Sequence, residues 1–318
     1  MADVTGAPAL DRRKGKRKQW LRWLLSAALL CVAGAFVWRE LRGLSVHEIW
    51  LHVRERSWAQ IGAACALAVV NYLQLTRFDA LALRYLNQRL PERRLVLASF
   101  IATAFGHNIG PSVASGGSIR LRFYSAWGIP AWQVATLIAF LSVTFFIGLC
   151  AVAGITFVSC SAADAEHLPL PLWLLRTIGG VFLGLLVAYL AVCARGPTLT
   201  LRGKRVSPPR IGIALGQIAT GGLDWLMMAA IFSLLLPSHT ASYFEVLRSL
   251  LVAQVAGVFS QVPGGLGVFE SLMLSSLGHI VSAPELLGTL LLYRALYFFL
   301  PLLFALLLML VSEVRRKA

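Results

Sequence analysis

Six ionisable residues lie in or against long apolar runs of this 318-residue chain: His107, Arg120, Arg122, Asp224, Glu270 and Arg294. A charge at hydrocarbon depth is costly, so each needs a partner, a wet cavity or a function. Two Gly/Pro breaks accompany them. Gly110-Pro111-Ser112-Val113-Ala114-Ser115-Gly116-Gly117 precedes Arg120 and Arg122, and Pro263-Gly264-Gly265-Leu266-Gly267 precedes Glu270. Gly and Pro at this density end helices. A helix that restarts beside such a break offers free N–H groups and a positive dipole end, which favour an anion such as phosphate.

From this pattern Gly116, Gly117, Arg120 and Arg122 form one candidate headgroup contact, with Pro263, Gly264, Gly265, Gly267, Glu270 and Arg294 as the other. The two arginines are equally explained as anchors on the basic side of the membrane. Glu270 either caps its helix, pairs with Arg294 or a cationic headgroup, or carries a proton. Asp224 stands near the middle of its apolar run and could pair with Arg294 or couple to an ion. His107 either titrates or is a hydrogen-bonded structural residue.

The composition says what must position these groups. The chain is 58% hydrophobic and only 14% charged. Soluble domains are about 45–50% apolar and about 25% charged. A soluble enzyme, a disordered chain and a nucleic-acid-binding domain are thereby excluded, although the net charge is +15. The expected fold is an all-α polytopic membrane protein. Six apolar runs are long enough to cross about 30 Å of hydrocarbon: 21–37, 58–76, 131–158, 171–194, 211–236 and 285–312. Basic tails at 1–20 and 313–318 flank a single transmembrane domain over 21–312. Segments 44–58 and 78–90 read as amphipathic interfacial helices.

The two broken stretches, 95–128 and 246–282, are expected to be re-entrant hairpins, because bare backbone at membrane depth must be buried or line a wet cavity. Basic residues set their orientation. With both hairpins returning to their own side, the inner segments hold 22 Lys/Arg and the outer ones six, with Arg294 inside a span. Cytoplasmic loops carry that excess, so both termini are expected in the cytoplasm. One hairpin then enters from each side, an inverted-repeat-like transporter layout.

Enzyme signals are missing. There is no HExxH, DxD, GxSxG or P-loop, and the five cysteines include no CxxC. No catalytic role, metal or cofactor is expected.

Pro263-Gly264-Gly265-Leu266-Gly267-Val268-Phe269-Glu270 resembles the signature of the flippase-like transmembrane domain of the lysylphosphatidylglycerol synthase family. Gly116-Gly117-Ser118-Ile119-Arg120-Leu121-Arg122-Phe123-Tyr124-Ser125 and Tyr293-Arg294-Ala295-Leu296-Tyr297-Phe298-Phe299-Leu300-Pro301 are similar to its stand-alone YbhN-like branch. The resemblance covers roughly 60–318. It implies a bacterial inner-membrane protein with two re-entrant hairpins that moves an anionic or aminoacylated phospholipid between leaflets. The soluble domain that makes the lipid in fused members is not matched, so synthase activity is not implied. Alternatives are a non-transporting partner of a lipid-synthesis enzyme and an intramembrane headgroup enzyme. The expected partners are membrane phospholipids and such an enzyme, with no nucleic acid.

Overall fold

The computed structural model describes residues 56–108, 112–196, 199–201, 204–237, 240–260 and 267–317. The first expected span, most of segment 44–58, Cys31 and Pro263-Gly264-Gly265 lie outside the described residues. The elements in order are α1 (Trp58–Tyr85), α2 (Glu92–Asn108), α3 (Ser112–Ala126), α4 (Ala131–Val158), α5 (Ala162–Ala165) and α6 (Leu172–Arg195). A ribbon of β1 (Leu199–Leu201) and β2 (Lys204–Val206) follows. Then come α7 (Ile211–Leu235), α8 (Tyr243–Ser260), α9 (Val268–Leu277), α10 (Ala283–Tyr293), a π-helical segment (Arg294–Phe299) and α11 (Leu300–Lys317).

Among the described residues five stretches are long and apolar enough to cross a membrane: 58–85, 131–158, 172–195, 211–235 and 283–312. They correspond to five of the six expected spans. One expectation is corrected. Residues 78–85 continue α1 without a break, so no separate interfacial helix occupies them. In the basic connection after α6, Leu199–Leu201 and Lys204–Val206 pair antiparallel. At three residues each, these strands make a two-stranded ribbon rather than a sheet with a core.

Local signals account for the helix boundaries. Ser57 accepts the Gln60 N–H at 3.2 Å and Gln60 answers from its side chain, a capping box that starts α1. Pro130 and Pro171 precede α4 and α6. Gly196, in the left-handed region at φ 60°, ends α6.

Helix α7 is the centre of the bundle, with Trp225, Ile231, Phe232 and Leu235 almost wholly buried. It packs on α1 and α4. The α4–α7 crossing depends on two glycines. A Cβ on Gly148 would lie 2.3 Å from the Gly221 carbonyl carbon, and one on Gly221 2.6 Å from the Thr144 oxygen. Helices in lipid gain little hydrophobic drive against each other, so close backbone packing of small residues replaces it. Large apolar side chains such as Val69, Ile155, Val187 and Leu307 point outward. In water that surface would aggregate, whereas in hydrocarbon it is the solvated face.

The broken stretches form pairs of short helices. α2 packs along α3, and α8 along α9. α3 has 15 residues and α9 only 10. At 1.5 Å per residue these reach about 22 and 15 Å, short of a full crossing.

Candidate functional site

The first cluster surrounds Asp79 on α1, a residue with no exposed surface. Arg120 on α3 grips it at both ends, Nε to Oδ1 at 2.9 Å and Nη2 to Oδ2 at 2.8 Å. Tyr124 and Ser99 each donate a hydroxyl at 2.8 Å. Arg120 also donates to Thr103 at 3.2 Å. Bidentate geometry and filled lone pairs are what make a buried pair tolerable. Gly116 permits it, because a Cβ there would sit 2.6 Å from the Ala102 carbonyl and 3.2 Å from the Arg120 guanidinium.

This placement departs from the expected helix start. α3 begins at Ser112, so Gly116 and Gly117 lie inside the helix and not at its mouth. Their small size serves packing against α2 and against Ile138, whose Cδ1 a Cβ on Gly117 would meet at 3.1 Å. Arg122, one residue beyond Ile119-Arg120-Leu121, points elsewhere and holds its guanidinium 6.0 Å from the Phe123 ring centre.

The second cluster joins α9 to the π segment. Glu270 is the third residue of α9, and its Oε2 accepts the Gly267 N–H at 2.7 Å. Its Oε1 accepts from Arg294 Nη2. Gly267 has φ 82°, a conformation that disfavours any side chain. Both side chains of the pair are about one-fifth exposed (20% and 21%), unlike Asp79. Arg294 is therefore paired with Glu270, and Glu270 both caps and pairs.

The third cluster holds Asp224, 3% exposed on α7. Asn71 Nδ2 donates to its Oδ1 at 2.9 Å and also lies 2.7 Å from the Tyr297 hydroxyl. The Tyr72 hydroxyl donates to the Tyr297 carbonyl at 3.1 Å. His107 packs its ring among Tyr72, Tyr297 and Phe298 at centroid distances of 6.0 Å. Its neighbour Asn108 donates to the Phe298 carbonyl at 3.0 Å.

One proline explains why these groups meet. Pro301 has no N–H for the Tyr297 carbonyl one turn before it, and its ring crowds that carbonyl. The helix widens, so that the Leu300 N–H reaches back to Ala295. The Tyr297 carbonyl, left without that donor, accepts from Tyr72, and the Phe298 carbonyl accepts from Asn108. π-Helical turns of this kind recur at functional sites. The segment thus contacts α1 through Tyr72, the α2/α3 pair through Asn108, and the α8/α9 pair through Arg294.

The sequence over residues 19–305 matches the family described as lysylphosphatidylglycerol synthase TM region. The chain belongs to that family. It is 31% identical to the inner membrane protein YbhN of Escherichia coli, over 94% of this chain and 93% of that one. It is 36% identical to an uncharacterized protein of Synechocystis over 76% of each chain. The phosphatidylglycerol lysyltransferase of Staphylococcus haemolyticus is 23% identical over 94% of this chain, but only 35% of that longer protein is covered.

Several residues of this family member escaped the sequence reading. Asp79 was hidden at the end of a run read as leaving the membrane. Asn71, Tyr72 and Tyr297 are uncharged, so apolar periodicity did not single them out. Arg56, 9% exposed, donates to the Leu235 carbonyl at 3.1 Å and to Thr289 at 3.4 Å. The signal that could have found the π segment was Pro301 inside an otherwise continuous apolar run. Among the described residues no group of His, Cys, Asp and Glu could hold a metal ion.

Proposed function

We propose that this chain is a lipid flippase or scramblase that moves a phospholipid between the leaflets of a bacterial inner membrane. The observation that carries the reading is the Glu270–Arg294 pair, part-exposed at the start of α9 and on the π segment. An ion pair of this kind is complementary to a headgroup that bears both charges. A lipid phosphate replaces Glu270 on Arg294, and an aminoacyl ammonium replaces Arg294 on Glu270. The two exchanges leave no charge unpaired, which is the condition for moving a headgroup through a low-dielectric path. An anionic lipid without the amine engages Arg294 alone.

The short pairs α2/α3 and α8/α9 support a re-entrant reading, one hairpin entering from each side, with both termini cytoplasmic. Both contact the π segment. The relation to phosphatidylglycerol lysyltransferase supports an anionic or aminoacylated phospholipid as cargo. No catalysis is assigned to the chain. Movement is downhill or ion-coupled, and a potential of 100 mV biases one charge by about 2.3 kcal/mol.

The test is lipid movement in liposomes that hold the purified chain. Headgroup-labelled anionic, zwitterionic and aminoacylated lipids are quenched from outside. Loss of protection in wild-type vesicles, and not in Glu270→Gln vesicles, is the expected result. Equal protection with and without folded protein, under a proton or sodium gradient, overturns transport and leaves a docking role beside a lipid-synthesis enzyme.

A further inference from the structure

Asp224 presents a problem that the lipid pathway does not solve. It is buried near the middle of α7, and among the described residues no arginine, lysine or histidine pairs with it. Its hydrogen-bond partners are two neutral groups, the amide of Asn71 and the hydroxyl of Tyr297. A buried carboxylate with only neutral hydrogen-bond partners still needs its charge balanced, either by a proton or by a bound cation.

The neighbouring amides distinguish the two. Asn71 turns its Nδ2 to Asp224, and Gln74, one turn further along α1, turns its Nε2 to the Thr220 carbonyl. Thr220 is itself one turn before Asp224 on α7. Each amide must present nitrogen to its partner, so each is left with an oxygen that has no hydrogen-bond donor: Asn71 Oδ1 and Gln74 Oε1. Both residues are more than nine-tenths buried, at 0% and 6% exposure. These two orphan acceptors stand on residues whose amide nitrogens reach Asp224 and Thr220 of α7, so the same α1–α7 interface carries three oxygen groups with a single negative charge. A proton on Asp224 would serve at most one of those acceptors. A hard monovalent cation serves both and balances the charge.

We infer that the α1–α7 interface holds a sodium ion between the Asp224 carboxylate and the side-chain oxygens of Asn71 and Gln74. Asn71 also reaches the Tyr297 hydroxyl, so the ion communicates with the π segment that carries Arg294. Coupling of the ion to lipid movement rests on the flippase reading, whereas ion binding does not.

The experiment measures radioactive sodium binding to the full chain in detergent, and thermal unfolding in sodium, potassium and choline chloride at one ionic strength. Wild type should bind saturably at about one ion per chain and unfold at least about 3 °C higher in sodium than in choline. Glu270→Gln should bind as wild type does. Asp224→Asn should not bind, and Gln74→Leu, which keeps the carboxylate, should bind at least about tenfold more weakly. Wild-type unfolding that responds to pH and is the same in all three salts overturns the inference, as does undiminished binding by Asp224→Asn. Sodium binding by Glu270→Gln vesicles that move no lipid separates the site from the transport reading.

Discussion

Arg120 holds Asp79 through both guanidinium edges, in a setting where the carboxylate has no contact with solvent. The pair ties α3 to α1 and draws in Ser99 from α2. Removal of one partner leaves an uncompensated buried charge, which costs about 3–5 kcal/mol. Asp79→Ala and Arg120→Ala should therefore each lower the unfolding temperature sharply in detergent. The double variant Asp79→Leu/Arg120→Met should unfold higher than either single one. If either single variant unfolds within a degree of wild type, the clamp is not structural.

Glu270 has two tasks that a conservative change can separate. Glutamine still accepts from the Gly267 N–H, as in other capping boxes, but brings no charge to Arg294. Glu270→Gln should keep α9 intact, with a stability change below about 1 kcal/mol, and lose lipid movement. Glu270→Ala loses both, and should be less stable by a further 0.5–2 kcal/mol or about that. Circular dichroism melts run beside the liposome assay check the separation. A Glu270→Gln protein with wild-type transport would remove the charge exchange from the mechanism.

Pro301 maintains the π segment by withholding one N–H. Pro301→Ala restores a donor for the Tyr297 carbonyl and lets the segment tighten to an α-helix. Tyr72 then shares that carbonyl with a backbone donor, and the aromatic positions after Arg294 rotate. We expect an unfolding temperature equal to or above wild type together with reduced transport. Unchanged transport in a folded Pro301→Ala protein would show that the widened turn has no functional part.

The glycines of the membrane core differ in kind. Gly221→Leu or Gly148→Leu places carbon where backbone atoms lie within 2.3–2.6 Å, so α4 and α7 must separate. Loss of folded protein on size exclusion is expected. Gly180 and Gly184 on α6 have open space around them. Alanine there should be neutral or stabilise by about 0.5–1 kcal/mol. A stable Gly221→Leu protein would contradict the close crossing.

Asp164, in the connection between α4 and α6, ties that loop to α8. Its carboxylate accepts from the Ser161 hydroxyl at 2.7 Å and the Ser161 N–H at 3.1 Å, and pairs with Arg248. Hydrogen bonds from Ser161, and then the Arg248 charge, hold its pKa below the ordinary 3.8. A depressed folded pKa means that the contribution is present above the unfolded value and disappears as pH falls through the folded one. Stability should therefore fall below about pH 4, and less steeply in Asp164→Asn. Parallel pH–melt curves for the two proteins would exclude a contribution from Asp164.

How far the fold could be read follows from the physics of the membrane. Hydrocarbon thickness imposes a length on every span, so 131–158 was legible to the residue, and 211–236 within one. The end of α1 was not, because Arg77, Asp79 and Arg84 look like an exit from the membrane when read along the chain. In three dimensions Asp79 is neutralised by Arg120, 41 residues away in sequence, and the helix continues. The two glycines before Arg120 were legible as a special feature, but a helix restart and a close helix contact have the same sequence signature.

What the sequence by itself determined is the solvent of this protein, the place of the long apolar helices among the described residues, and the set of charges that must be reconciled within them. Its Gly/Pro punctuation also located both pairs of short helices. Only the tertiary structure decided which charge answers which: Arg294 to Glu270, Arg120 to Asp79, and Asp224 to the amide of Asn71. The physical reason is that pairing at depth is a long-range choice. The cost of an isolated charge demands some partner, but that cost does not depend on where in the chain the partner lies.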